Sequence, residues 1–288
     1  MESTGSPGIF PQILMSVAVV VAVYIIFTVG EILYRAYLGY GNVRIPVYPY
    51  TGNRSIKIEQ NPANPSSKTL PLSENQLTGI EFSYSTFVYI SDDTFGGDAS
   101  AAGWKTLFYK GYESSPFPLL GPGVFVSNVI NQTGSPTLRV VMNTYDSWFT
   151  PIDVTQIPIN KWFHLALVLR SNRMEIYING NLANKKTFHG TLPYQNYQPL
   201  NLFPNVQTIQ NDFTASTTES KRGIPAGENF YVMGKASGYL SNMIYFSYAL
   251  SYSEIQGLLN MGPSKEFDQS NMDMPPYLID SWWTSRKQ

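Results

Sequence analysis

Residues 162–180 read WFHLALVLRSNRMEIYING, and their pattern determines the fold class of the chain. Apolar side chains occupy every second position on either side of Ser171-Asn172, which is the period of a β-strand with one buried face. The stretch ends in Asn179-Gly180, a pair that favours the positive φ angles of a two-residue hairpin turn. The sequence therefore predicts two adjacent antiparallel strands with core-facing Phe163, Leu165, Leu167, Leu169, Met174, Ile176 and Ile178.

The same period of two recurs elsewhere in the chain. It is clear from Ile80 to Ile90 and from Leu138 to Met142, and turn signals such as Gly134-Ser135-Pro136 separate the runs. No helical pattern alternates with these strands, which disfavours a parallel α/β sheet. The predicted fold class is all-β, an antiparallel jelly-roll sandwich over residues 79–262.

One segment near the end of this region predicts a short helix. Ser251 is an N-cap residue, Glu254 lies three residues later as its capping-box partner, and Leu250 can pack against Ile255. Gly262-Pro263 then ends the helix.

The N-terminal segment, residues 1–40, predicts a single transmembrane helix. Residues 3–30 carry no charged side chain, and a bilayer core needs about 20 largely apolar residues. A cleaved signal peptide is disfavoured, because the leader has Glu2 and no cation and no small-residue cleavage site follows. The residues expected to contact lipid are Ile13, Leu14, Val17, Val20, Val21, Val23, Ile25, Ile26 and Phe27.

The first cations in the chain are Arg35, Arg44 and Arg54, so the positive flank lies on the C-terminal side of the apolar run. By the positive-inside rule, the large C-terminal part is expected on the cytoplasmic side of the membrane. The absence of cysteine agrees with that orientation. The N-glycosylation sequons that begin at Asn53 and Asn131 point to the opposite side.

Two further segments flank the predicted sandwich. Residues 41–78 contain five prolines among Asn, Ser and Gly, so we expect a stalk or arm there. Residues 263–288 form an aromatic tail, in which Tyr277, Trp282 and Trp283 are candidate contacts for a protein partner.

The composition disfavours several classes of function. The net charge is −1 and only 14% of the residues are charged, which leaves no electrostatic footprint for nucleic acid. Two histidines and no cysteine make a transition-metal site improbable, and His164 is expected to be a buried, hydrogen-bonded structural residue. The acids Glu81 and Glu175 stand alone on their strands, without the nearby carboxylate partner that retaining glycosidases need. The sequence therefore predicts a non-catalytic protein with no catalytic residues, no metal ligands and no cofactor.

Two blocks carry a resemblance to a known family. Residues 162–180 and residues 238–255, GYLSNMIYFSYALSYSEI, resemble the central hairpin and the closing strand of laminin G-like, or concanavalin A-like, jelly-roll domains. With its anchor, Pro-rich arm and Trp282-Trp283 tail, the chain also resembles membrane-anchored proteins encoded by large DNA viruses of algae and protists.

Many relatives in this family bind calcium at the rim of the sandwich. The acidic loop that contains Asp92, Asp93 and Asp98 could offer oxygen ligands, but a polar turn in which Asp caps its own backbone is favoured. Relatives often carry an acid pair on the closing strand, where this chain has Ser241-Asn242.

Two functions remain open. The first is a structural protein that links a membrane to a protein shell, such as a minor capsid component of a large DNA virus that lies in the virion between membrane and capsid. The second is a lectin-like carbohydrate-binding module, for which Trp104, Tyr145 and Trp148 are the candidate glycan contacts.

Overall fold

The computed structural model describes residues 9–38, 43–65, 67–73, 80–96, 102–112, 118–130, 136–189, 192–206, 224 and 230–268. They belong to two compact units, which divide between Asn42 and Val43. Of the two predicted glycosylation sequons, the first begins at Asn53, which is described and exposed. The second begins at Asn131, which lies outside the described residues.

The first unit contains one helix, α1, Ile9–Leu38. Within it, Ile13–Glu31 is long and apolar enough to cross a membrane. Each of the nine side chains predicted to contact lipid is at least 46% exposed. The helix therefore presents apolar surface that its own unit does not bury.

The second unit is a sandwich of two β-sheets. Sheet A has the strand order β1-β13-β3-β8-β9-β10, and sheet B has the order β2-β11-β4-β5-β6-β7, with β12 also paired to β4. Only the short β12–β4 pair is parallel among these described pairs. The strands are β1 Arg44–Gly52, β2 Ile56–Ile58, β3 Glu81–Ile90, β4 Trp104–Tyr112, β5 Leu119–Ser127, β6 Thr137–Met142, β7 Thr150–Thr155, β8 Trp162–Arg170, β9 Arg173–Ile178, β10 Asn181–Thr187, β11 Leu200–Leu202, β12 Val232–Lys235 and β13 Gly238–Phe246.

The core lies between the sheets and follows the predicted alternation. Leu167 is 1% exposed, and its alternating neighbours on β8 and β9 belong to the same apolar cluster, with Ile178 partly buried at its margin. Asn179 and Gly180 have φ angles of 49° and 76°, so the predicted two-residue hairpin turn is confirmed. The all-β antiparallel sandwich is confirmed as well.

The expected stalk at residues 41–78 differs from what the structure has. β1 pairs with β13 at the edge of sheet A, and β2 pairs with β11 in sheet B. Val47 is 1% exposed in the core, so the two described strands of this segment, β1 and β2, are part of the sandwich. Two of the five prolines that indicated a stalk, Pro46 and Pro49, are tolerated in β1 because it is an edge strand, interrupted between Pro46 and Thr51 by register shifts.

The predicted short helix is α2, Tyr252–Met261. Ser251 and Glu254 form both hydrogen bonds of the capping box, as predicted. The helix covers one half of the outer face of sheet A, where Ile255 and Leu258 pack over strand residues such as Ala166 and Phe246.

We define the two ends of the sandwich by the two ends of its first strand, β1. The proximal end contains Arg44, the first residue of β1, which pairs with Phe246. The distal end holds the other end of β1 at Gly52 and the start of β13 at Gly238. Eight residue steps along β13 separate the two ends by about 26 Å.

Candidate functional site

Three aromatic side chains meet at the distal end of sheet A, on its outer face. Tyr89 of β3 is the register partner of both Trp162 on β8 and Tyr239 on β13. Their ring centroids lie 5.7 Å apart for Tyr89–Trp162, 6.1 Å for Tyr89–Tyr239 and 6.4 Å for Trp162–Tyr239. Trp162 is 37% exposed, and both tyrosines are partly exposed. We call these three residues the aromatic triad.

A polar cleft of about 470 Å³ adjoins the triad. Tyr89 and Tyr239 form part of its wall, and Asn53, Asp93 and Lys235 contribute polar groups. Lys235 Nζ donates a hydrogen bond to the backbone carbonyl of Asn53 at 3.1 Å, which fixes one side of the cleft. The cleft therefore combines aromatic rings with hydrogen-bond donors and acceptors, as small-ligand sites do.

The acidic loop considered for calcium borders this cleft. Asp92 and Asp93 are exposed, and a carboxylate oxygen of each lies within hydrogen-bond distance of Ser91 Oγ, at 3.2 Å and 3.3 Å, so the single hydroxyl hydrogen can be donated to either. The backbone N–H of Asp92 donates to Asn160 Oδ1 at 3.1 Å. Asp92 begins a short 3-10 helix, Asp92–Phe95, and these bonds do not include the predicted one from an Asp carboxylate to its own backbone, so the polar turn stays a prediction; Asp98 lies outside the described residues.

His164 lies beneath the outer face, next to the triad along β8. It is fully buried, Nε2 is 2.8 Å from Ser85 Oγ, and its ring centroid is 5.0 Å from that of Phe87. Burial lowers the pKa of His164 from 6.5 to about 4, so the imidazole is neutral at neutral pH. The expected buried structural histidine is confirmed.

The predicted glycan contacts lie apart from one another. Trp104 is at the distal end of β4 on sheet B, and Arg139 Cζ lies 4.2 Å from its ring centroid. Arg139 is itself held by Asp153 through two hydrogen bonds of 2.7 Å. Because the guanidinium covers one face of the indole, that face has no room for a sugar.

Tyr145 and Trp148 lie in the loop between β6 and β7, at the proximal end. Tyr145 is 69% exposed and its ring centroid is 5.3 Å from that of Tyr194, whereas Trp148 is half-buried. The three predicted residues therefore do not form one site, and each stays a prediction.

Sequence reasoning missed the aromatic triad. Tyr89 and Trp162 each lie on the strand face opposite to the core-facing residues. An aromatic side chain on that outer face was the only feature of the sequence that could have indicated a binding site there. The pairing of three strands from distant parts of the chain was not available without the structure.

The strand acids have different surroundings. Glu175 Oε1 forms an ion pair with Arg173 Nε at 2.8 Å, and Glu175 Oε2 accepts a hydrogen bond from the Tyr177 hydroxyl at 3.0 Å. Glu81 starts β3, and β8 separates it from β9, which carries Glu175. No group of three or more potential metal ligands occurs among the described residues.

The last described residues are hydrogen-bonded to β1 and to Arg54 at the distal end of the sandwich. Backbone hydrogen bonds of 2.8 and 2.9 Å join Thr51 to Glu266 and Asp268. The Asp268 carboxylate accepts from Arg54 at 2.8 Å and from the Tyr48 hydroxyl at 3.2 Å. The predicted protein contacts Tyr277, Trp282 and Trp283 follow this point and lie outside the described residues.

A family model described as the concanavalin A-like lectin/glucanases superfamily matches residues 64–256. No curated protein sequence matches the chain. Solved structures with a similar fold include the receptor-binding domain of botulinum neurotoxin D, at 14% identity and a TM-score of 0.43, covering 77% of this chain and 48% of that one. Another is the heptameric SAP-like pentraxin of Limulus polyphemus, at 14% identity and a TM-score of 0.41, covering 79% of this chain and 86% of that one.

A third is the ligand-binding domain of botulinum neurotoxin serotype D in complex with N-acetylneuraminic acid, at 12% identity and a TM-score of 0.44. That alignment covers 77% of this chain and 42% of the neurotoxin domain, so the chain spans less than half of that domain. At these identities the likenesses concern the fold alone.

Proposed function

We propose that this chain, which belongs to the concanavalin A-like lectin/glucanases superfamily, is a non-catalytic, membrane-anchored module that binds carbohydrate at its distal end. The observation that carries the proposal is the aromatic triad, whose partly exposed rings border a polar cleft. A sugar offers apolar C–H faces for the rings and hydroxyl groups for polar side chains such as Asp93 and Lys235.

The anchor in this proposal is α1. Its 30 residues rise about 45 Å, enough for the hydrocarbon core and both headgroup layers. Because the chain joins the sandwich at the proximal end, the triad lies about 26 Å further along β13 from the point of attachment.

The test is glycan binding by the full chain in lipid nanodiscs, measured first on a glycan panel and then by titration with the best ligand. Trp162→Ala should weaken binding roughly 30-fold, because loss of a central aromatic anchor costs about 2 kcal/mol. Tyr252→Ala is the matched control, since Tyr252 is 62% exposed on α2 and outside the triad. Failure of every glycan to bind, or equal binding by Trp162→Ala, would contradict the proposal.

A second candidate is the structural link between a membrane and a protein shell, as in a viral minor capsid protein. One observation favours it: the last described residues, which precede the predicted protein contacts Tyr277, Trp282 and Trp283 in the sequence, are hydrogen-bonded to the distal end of the sandwich. Removal of residues 274–288 should then weaken association with partner proteins in the native assembly, whereas glycan binding should be unchanged.

The orientation of the membrane helix separates the two candidates. The cytoplasmic side predicted from Arg35 and Arg44 favours the structural role, whereas a lectin would meet glycans from the opposite side. Asn53 is exposed and begins a sequon, so N-glycosylation at Asn53 in eukaryotic cells would report a luminal sandwich. Protease protection of the sandwich in sealed cells would report a cytoplasmic one.

A further inference from the structure

One wall of the distal cleft carries an asparagine that begins a glycosylation sequon. Asn53 lies in the connection between β1 and β2, and it lines the cleft together with Asp93 and Tyr239. Asn53-Arg54-Ser55 fits the pattern Asn-x-Ser/Thr, in which x is not proline. The cleft that the proposed function uses therefore includes a candidate modification site.

The side-chain amide of Asn53 is accessible for this modification. Asn53 is exposed, and no hydrogen bond joins its amide group to another described residue. The bond that holds Asn53 in the cleft wall uses the backbone instead, because its carbonyl oxygen accepts from Lys235 Nζ at 3.1 Å. A sugar attached to Nδ2 therefore leaves this bond intact.

The sequon is also free while the chain is being made. In the folded domain the Ser55 hydroxyl donates to the backbone carbonyl of Phe203 at 2.5 Å, which occupies the hydroxyl group that the sequon supplies. Phe203 is 148 residues later in the sequence, and a chain is synthesised from its N-terminus. Asn53 can therefore be modified before this hydrogen bond forms.

The covalent step is a transfer of an oligosaccharide from a lipid pyrophosphate to the amide of Asn53. A bond forms between Asn53 Nδ2 and C1 of the first sugar, and the bond between that C1 and the pyrophosphate oxygen breaks. The amide loses one proton to the transferase, and the lipid pyrophosphate is the leaving group. Nothing is oxidised or reduced in this step.

Attachment at Asn53 puts the first sugar at the cleft. A single bond joins that sugar to Nδ2, so it begins at the wall that Asn53 shares with Asp93 and Tyr239. A ligand on so short a tether has an effective concentration on the order of millimolar. The attached sugar therefore competes for the cleft even where a free sugar would bind weakly.

We propose that Asn53 is a site of N-linked glycosylation and that its glycan occupies the distal cleft, which closes the cleft to glycans on other molecules. The inference rests on the proposed function, including the position of the sandwich outside the cytoplasm that a lectin requires. Binding of external glycans is then a property of chains that lack a glycan on Asn53.

The test uses the full chain, expressed in eukaryotic cells and purified into lipid nanodiscs, with Asn131→Gln in every version to remove the second sequon. Asn53→Gln removes the modified nitrogen and keeps the backbone carbonyl that binds Lys235. Ser55→Thr is the matched control, because it changes the same tripeptide and keeps the sequon.

The cleft is probed without any added glycan. The sequence has no cysteine, so Asp93→Cys provides one thiol in the cleft wall, and Leu182→Cys, at a 47% exposed position on β10, provides one outside it. The thiol at position 93 should react with a polar maleimide about tenfold more slowly when Asn53 carries its glycan. The thiol at position 182 should react equally with and without that glycan.

Mass spectrometry of the control chain should find the glycan on Asn53. Chains without an introduced cysteine should then bind the best panel glycan about tenfold more tightly after Asn53→Gln than after Ser55→Thr. An unmodified Asn53 would overturn the inference, and so would equal labelling at position 93 or equal glycan binding with and without the modification.

Failure of the inference can be told apart from failure of the proposed function. If the Asn53→Gln chain binds glycan and Trp162→Ala weakens that binding, the proposed function stands whatever happens at Asn53. If the Asn53→Gln chain binds no glycan, the proposed function is wrong. Slower labelling at position 93 would still support occupancy of the cleft by the attached glycan in that case, and unchanged labelling would overturn it.

Discussion

The two halves of the outer face of sheet A use the same strands in opposite ways. Toward the proximal end, α2 covers strand residues such as Ala166 and Phe246, and Ile255 at the contact is fully buried. Toward the distal end, the same strands carry Trp162 and Tyr239, whose rings remain partly exposed. Apolar area contributes to stability only when it is removed from water, so the first half stabilises the fold and the second is available for a ligand.

The largest expected effect tests the covered half. Ile255→Ala should lower the free energy of unfolding by about 2 to 5 kcal/mol, since it truncates a buried side chain. Asn260→Ala, at an exposed position of the same helix, should change it by less than about 0.5 kcal/mol. Chemical denaturation measures both, and equal small effects would mean that α2 contributes little to the fold.

The next effect concerns His164, which lies between the two halves. Its pKa falls from 6.5 to about 4 on folding, so the unfolded chain binds the proton more readily between those pH values. Stability should therefore be lost as the pH falls from 6.5 to 4, by about 3 kcal/mol in total, and should not depend on this group above pH 6.5.

The measurement is the free energy of unfolding at a series of pH values. His164→Gln should remove this part of the acid slope whatever its effect at neutral pH. His189→Gln is the control, because His189 is exposed. A slope unchanged by His164→Gln would show that His164 is not the buried titrating group.

A smaller effect tests how α2 is held over its half. Ser251→Ala removes the N-cap of the helix and should cost about 1 kcal/mol in thermal or chemical unfolding. Ser253→Ala changes a serine two positions later without removing the cap, so it should cost less than about 0.5 kcal/mol. If the two variants behave alike, the capping box does not stabilise the helix.

The smallest effect is expected in the uncovered half. Because the exposed Asp92 and Asp93 carboxylates lie beside the Ser91 hydroxyl and belong to no group of three or more potential metal ligands among the described residues, millimolar calcium should leave the melting temperature of the full chain unchanged relative to a chelator control. A rise in melting temperature with calcium, lost in Asp93→Asn, would instead favour a metal site beside the cleft.

Local patterns in the sequence predicted the parts of the fold that depend on neighbouring residues. The alternation around Leu167, the Asn179-Gly180 turn and the capping box at Ser251 each involve residues within a few positions of one another. Their physical causes, strand pleat, positive φ and unsatisfied helix N–H groups, act locally and can be identified in one sequence.

Features that depend on which strands pair could not be predicted in the same way. Residues 41–78 looked like a stalk because a proline pattern gives no indication that β13 offers an edge to β1. The aromatic triad needs the register between β3, β8 and β13, which joins Tyr89 to residues about 73 and 150 positions later. The strand alternation in the sequence indicates that each ring faces away from the core. It does not indicate that the three rings lie next to one another.

The position of β13 between β1 and β3 has a consequence for biosynthesis. The first strand of the domain cannot complete its sheet until its partner is made, and the hydrogen bond between Thr51 and Ser241 spans 190 residues. Contacts so far apart in sequence form slowly, and a strand with an open edge can pair with other chains in the meantime. Sheet A therefore cannot be completed before β13 has been translated, and until then the prolines of β1, Pro46 and Pro49, oppose pairing of its open edge with other chains.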